Sequence, residues 1–219
     1  MAAVPFRQRS PLCDTRDEEY ASQVTHAIGA VLAVIALVVM ILASGSDPYR
    51  IVSSSIFGIT LILLYTSSTI YHSVSSPRLR SFFQVLDHAC IYLLIAGTYT
   101  PVSLITLRGP WGWSLFGCVW GLAIAGVVLK SVMKNNREAW WSTALYVVMG
   151  WLVVFAIVPL LKNLSLLGFA WLAAGGLFYT FGVIFFAWQR LPFNHAIWHL
   201  FVIAGSACHV IATIFYILP

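Results

Sequence analysis

Seven apolar runs dominate the chain, at residues 24–43, 51–72, 85–106, 112–131, 141–161, 166–187 and 195–217. Each is close to the ~20 residues that a helix needs to cross a bilayer core about 30 Å thick. Hydrocarbon offers no partner for a bare peptide N–H or C=O, so only helices and closed barrels span it. The runs are about twice as long as the ~9–11-residue strands of a membrane barrel. The predicted fold class is therefore all-α and integral to the membrane: a seven-transmembrane helix bundle. Only 9% of the residues are charged, against about 25% in a soluble domain. The runs leave short linkers, which predicts one membrane domain over 24–219 behind a leader at 1–23.

Seven spans put the two ends of the chain on opposite sides. The leader and the loops after spans two, four and six carry Arg7, Arg9, Arg16, Arg78, Arg80, Lys130, Lys134, Arg137 and Arg190, nine of the twelve basic residues. Arg50, Arg108 and Lys162 face the other way. Lys and Arg collect on the cytoplasmic side of membrane proteins, so the N-terminus is predicted inside and the C-terminus outside, with the chain multi-pass in the cell's inner (plasma) membrane. The basic residues sit singly at span ends, which argues against a nucleic-acid partner. The first apolar run follows a charged leader and is long enough to span, so no removable signal is expected.

The first dozen leader residues are expected to be disordered, and the following Arg16–Asp17–Glu18–Glu19 stretch to lead into span one. Pro101 in span three and Pro159 in span five should kink or end a helical turn. Gly117 and Gly121 form a GxxxG in span four, and Gly175 and Gly176 adjoin in span six; small faces such as these let helices approach closely. The cysteines, Cys13, Cys90, Cys118 and Cys208, form neither a CxxC nor a disulfide framework.

Ionisable groups within apolar spans are costly and by default mark function. His195 and His199 lie four residues apart at the start of span seven, about 40° apart on one helix face. His72 ends span two, and Asp87 and His88 begin span three. Under the predicted topology all of these lie in the cytoplasmic half. Asp87 is the one carboxylate inside the seven apolar runs. Three neutral imidazoles suit Zn²⁺ with water in a fourth position, so His72, His195 and His199 are the candidate metal ligands. Asp87 would bond that water or orient a ligand ring. Ser68, one turn before His72, would offer a hydroxyl to the water or to a substrate carbonyl. The competing reading is a set of histidines each hydrogen-bonded within the bundle, and it suffices for any one of them taken alone.

The other histidines fit less well. His209 is about 21 Å along the axis from His195, too far to share a metal, and is expected to hydrogen-bond between helices. His88 is about 100° around the helix from Asp87. His26 starts span one, with Glu19 as a candidate partner. The fourteen-residue spacing of His195 and His209 suits two stacked haems. Axial ligation needs a matching pair on another helix, and His26, His72 and His88 are each alone on their spans, so haem is not expected.

Four pieces of sequence carry a resemblance: VTHAIG at 24–29, SSTIYH at 67–72, LDHACIYLLIAGTYTP at 86–101 and NHAIWH at 194–199. Together they resemble the bacterial haemolysin III family, within the progestin and adiponectin receptor (PAQR) superfamily, with alkaline ceramidases as more distant relatives. The resemblance covers nearly the whole chain from about Glu18. It implies a seven-helix bundle with its N-terminus inside and a zinc held by His72, His195 and His199, with Ser68 and Asp87 beside it. The adiponectin-receptor branch is associated with zinc-dependent ceramide hydrolysis. Against that branch the chain is read as lacking a long cytoplasmic N-terminal domain and a C-terminal extension, so a hormone-receptor role is not expected. Three functions follow, in order: a zinc-dependent hydrolase of lipid amides, with Asp87 and Ser68 in catalysis; a non-enzymatic membrane-state sensor or lipid-homeostasis protein with structural zinc; and a pore or cytolysin, which no ring of charges and no export signal supports.

Overall fold

A computed structural model describes residues 15–132 and 140–219. Among them, seven helices are long and apolar enough to cross a membrane, and there is no strand. Helices α1 (Arg16–Ala43), α2 (Pro48–Ser73), α3 (Pro77–Pro101) and α4 (Pro110–Val132) form the first four spans. The fifth is broken into α5 (Trp140–Gly150), a 3₁₀ turn (Leu152–Ala156) and α6 (Ile157–Asn163). Then follow α7 (Leu166–Ala187) and α8 (Asn194–Ala212). Cys13 and the expected disordered dozen lie outside the described residues, as do Arg7, Arg9, Lys134 and Arg137.

The helices start where the sequence supplies caps. Asp47 accepts from the Tyr49 and Arg50 N–H groups, and Pro48, Pro77 and Pro110 occupy first positions, where a missing N–H costs nothing. α1 begins at Arg16, well before the apolar run, because Thr15 and Glu18 form a reciprocal capping box. The charged lead-in is therefore two further turns of the first helix.

α1, α2, α3 and α4 pack in sequence, α7 packs on α8, and α8 returns to α1. α3 is the central helix: 72% of its most apolar stretch is buried, against 11% for α7. One apolar core joins Phe57, Leu61, Leu94, Met40 and Val202; a second joins Tyr92, Val119, Ala123, Met149 and Leu160. Large apolar side chains such as Leu42, Phe155 and Leu166 face outward, as a lipid-facing surface requires.

The two prolines act differently. Pro101 ends the α-helical part of span three, and a wider π turn follows over Val102–Thr106. Span five breaks at Gly150–Trp151, eight residues before Pro159, which sits in the first turn of α6, where its missing N–H has no intrahelical partner to lose. Tyr99 stitches the break: its hydroxyl donates to the Gly150 carbonyl at 2.7 Å and accepts from the Val153 N–H at 3.0 Å.

The small-residue faces also divide. Added Cβ atoms on Gly117 and Gly121 would meet nothing within 4 Å, so the GxxxG expected to pack closely faces outward on peripheral α4. Gly175 does pack: a Cβ there would overlap the His209 ring and come within 3.0 Å of the Gly205 carbonyl oxygen. Gly175→Ala should destabilise the bundle by about 1–3 kcal/mol through overpacking, whereas Gly121→Ala should be neutral. Thermal unfolding of the two purified variants beside wild type checks this, with a lower midpoint for Gly175→Ala alone.

Candidate metal centre

The end of the bundle where α1, α3 and α8 begin and α2 finishes collects the polar residues. His72 stands in the last turn of α2, and His195 and His199 stand in the first turns of α8. All three rings are buried, and one ligand atom of each lies within 4.8 Å of the others. Ring centroids are 4.5 Å apart for His195–His199 and 5.0 Å for His72–His195. The Nε2 atoms of all three are buried with no hydrogen-bond partner among the described residues. Orphaned buried nitrogens are rare because each carries a desolvation cost. Three together suit a metal ion, which would use all three lone pairs at once.

The far side of two rings is tied down by α1. His72 Nδ1 lies 2.7 Å from a Glu19 carboxylate oxygen, and Glu19 also forms an ion pair with Arg80. His199 Nδ1 lies 3.0 Å from the Ser22 carbonyl oxygen and 3.2 Å from the Thr25 hydroxyl. A nitrogen facing a carboxylate or carbonyl donates its hydrogen there, which makes Nε2 the lone-pair atom. These are outer-shell bonds of the kind that hold metal-binding imidazoles in tautomer and orientation.

α1 also fixes the start of α8. Phe193, the residue before Asn194, adopts φ 58°, a left-handed conformation costing a non-glycine residue about 1–2 kcal/mol. Its N–H donates to Glu18 at 2.9 Å. Glu18 thus holds the strained entry to the helix that carries both His195 and His199, while its other oxygen closes the α1 capping box.

The candidate catalytic residues are both buried at this end: Asp87 in the third turn of α3 and Ser68 one turn before His72. The Ser68 hydroxyl is buried without a partner. His88 stays outside the triad, its Nδ1 2.5 Å from the Gln84 carbonyl oxygen. The expected Glu19–His26 pairing does not form, because Glu19 turns to His72 and Arg80. His26 instead stacks on His199, with centroids 3.4 Å apart and planes 11° from parallel. His209 differs from expectation too. Its Nδ1–H bonds the Gly205 carbonyl of its own helix at 2.8 Å, and its contact with α7 is a stack on Tyr179.

Sequence reasoning missed Glu18, Glu19, Ser22 and the stacked His26 as parts of the centre. The signal was present: Glu19, Ser22 and His26 are spaced i, i+3, i+7, one helical face, once α1 is started at Thr15.

The Haemolysin-III related family profile matches residues 15–210. The chain belongs to the haemolysin III-related family. It is 48% identical over 204 residues to Hemolysin-3 of Bacillus cereus, covering 92% of this chain and 93% of that protein. It is 44% identical to the Hemolysin-3 homolog of Bacillus subtilis (strain 168), covering 92% and 95%. To the monocyte to macrophage differentiation factor of Homo sapiens it is 31% identical over 201 residues, covering 89% and 82%. These relatives agree with a multi-pass membrane protein, and the last extends the likeness to the PAQR superfamily.

Glu19→Gln should keep the fold but weaken metal binding about 10–100-fold, the usual cost of losing an outer-shell carboxylate. Competition with a chromogenic chelator on the purified protein measures it.

Proposed function

We propose that the centre holds one zinc ion through His72, His195 and His199 and serves as an intramembrane hydrolase of lipid amides. The observation that carries this reading is the cluster of three buried histidines that each offer a ligand nitrogen within 4.8 Å of the others, with every Nε2 unpartnered among the described residues. Three imidazole ligands leave a coordination position open, the pattern of catalytic zinc sites, whereas structural sites are closed by four protein ligands. Zinc bound there would polarise an amide carbonyl and make a water acidic near neutral pH. Asp87 takes the proton from the attacking water and returns it to the departing amine. Ser68, whose hydroxyl has no partner among the described residues, donates to the carbonyl oxygen. Glu19 and the Ser22 carbonyl keep two ligand rings in the required tautomer.

The centre sits at the end we assign to the cytoplasm, on the nine-to-three excess of Lys and Arg there. A substrate whose polar group lies near the headgroup boundary fits that depth. Alkaline phosphatase fused after Pro219 should be active outside the cell, and the same fusion made in the loop at Arg190 should be inactive.

A second reading has support of its own. The ligand helices α2 and α8 and their α1 tethers make any bound metal a clamp across the bundle, as a sensor of membrane state would need. Metal analysis and turnover separate the two. Wild type should carry about one zinc per chain, and His199→Ala should carry almost none. Asp87→Asn should keep its zinc while lipid-amide hydrolysis falls about 10²–10⁴-fold. Full zinc with no hydrolysis across a panel of lipid amides would favour the clamp, and zinc-free wild type would remove both readings.

A further inference from the structure

The tethers of the candidate metal centre come from one short segment at the start of α1. Glu18 accepts the Phe193 N–H, Glu19 faces His72 Nδ1, and the Ser22 carbonyl faces His199 Nδ1. His26, one turn further on, lies flat on the His199 ring.

This segment is held mainly by polar ties. Residues 15–23 read TRDEEYASQ, and the one large apolar side chain among them, Tyr20, is 66% exposed. The outermost ties face water: the reciprocal Thr15–Glu18 bonds and the Glu18–Phe193 bond are all exposed. The helices that carry the three histidines are anchored differently. Leu64 and Tyr71 on α2, and Ala196 and Val202 on α8, are buried, so α2 and α8 cannot part without breaking packed contacts. A helix end with exposed hydrogen bonds and little buried apolar surface opens first. Strain adds to that tendency. Phe193 stands at φ 58° with its N–H on Glu18, and loss of that bond lets the residue leave the costly left-handed region.

We infer that the first two turns of α1, residues 15–22, are a cap on the metal centre that unwinds to let an ion pass. The ion moves between the water at this end of the bundle and the three histidines. The cap then rewinds and closes through Glu18, Glu19 and Ser22. Its hinge lies where the apolar run begins near Val24; beyond it the helix is seated in the bundle at His26 and Gly29, both buried. The inference rests on the metal reading and is independent of hydrolysis. If the ion leaves only from the opened state, a change that raises the open population raises the release rate by the same factor.

The test is zinc release from the purified full chain in lipid nanodiscs, followed with an excess of chromogenic chelator. Thr15 bonds to Glu18 and lies outside the ligand set. Thr15→Ala removes the capping box and should speed release about fivefold, the worth of one N-cap bond. Thr15→Ser keeps the box and should match wild type. Gly175→Ala strains the bundle at His209 and should leave the rate unchanged, which separates the cap from general destabilisation. By reciprocity the ion must hold the cap closed, so backbone amides of residues 19–23 should exchange with deuterium more slowly in zinc-loaded than in zinc-stripped protein. Release unchanged in Thr15→Ala, equal acceleration in Gly175→Ala, or exchange over 19–23 that ignores zinc would each overturn the cap and leave the metal centre standing. Wild type that takes up no zinc would remove both.

Discussion

A buried imidazole N–H in a lipid-embedded bundle has no water to turn to, and that constraint shapes the polar end of this protein. An unpaired buried donor costs about 1–3 kcal/mol, and two of the clustered rings meet that cost with acceptors from α1. For His72 the acceptor is Glu19, and for His199 it is the Ser22 carbonyl. Both come from the first turns of α1. Satisfying those donors has a consequence on the opposite edge of each ring: the lone pair falls on Nε2, toward the neighbouring histidines. The face that could hold a metal ion is thus the reverse side of a hydrogen-bonding requirement.

The same constraint explains features far from the centre. The break in span five would leave peptide groups bare in hydrocarbon, and Tyr99 fills both roles there, as donor and as acceptor. Serine and threonine hydroxyls inside the spans return to carbonyls three or four residues back, as Thr60, Ser67, Thr69 and Thr100 do. Among the described residues several buried polar atoms stay unpartnered, and most of them gather at one end of the bundle: both ring nitrogens of His26, the Nε2 atoms of His72, His195 and His199, and the Ser68 hydroxyl.

α1 emerges as more than a membrane anchor. Glu18 secures the left-handed entry into α8, Glu19 links α2 and the start of α3, and Ser22 reaches His199. One helix therefore sets the relative positions of the two helices that carry the candidate ligands. A centre held this firmly suits a catalyst that needs its groups in place before substrate arrives, and it suits a clamp equally well. In the proposed hydrolysis the chemistry would turn on Asp87 and Ser68, both buried at this end of the bundle.

The sequence by itself determined the fold class and named the three histidines that the structure brings together. Seven runs of spanning length leave helices as the one economical solution in lipid, and the i, i+4 spacing of His195 and His199 is local geometry that any helix reproduces. His72 could be added because span direction alone puts the end of α2 beside the start of α8. Other features were decided by tertiary structure: that Glu19 serves His72 and not His26, that His26 lies flat on His199, that Gly175 packs while Gly117 and Gly121 face outward, and that His209 stacks on Tyr179. The rotation of each helix about its axis and its docking place decide these. A periodic apolar pattern in lipid leaves that rotation open, because lipid and protein interior are almost equally apolar. Rotation is settled by close packing and by the few polar pairs that find each other once the helices are together.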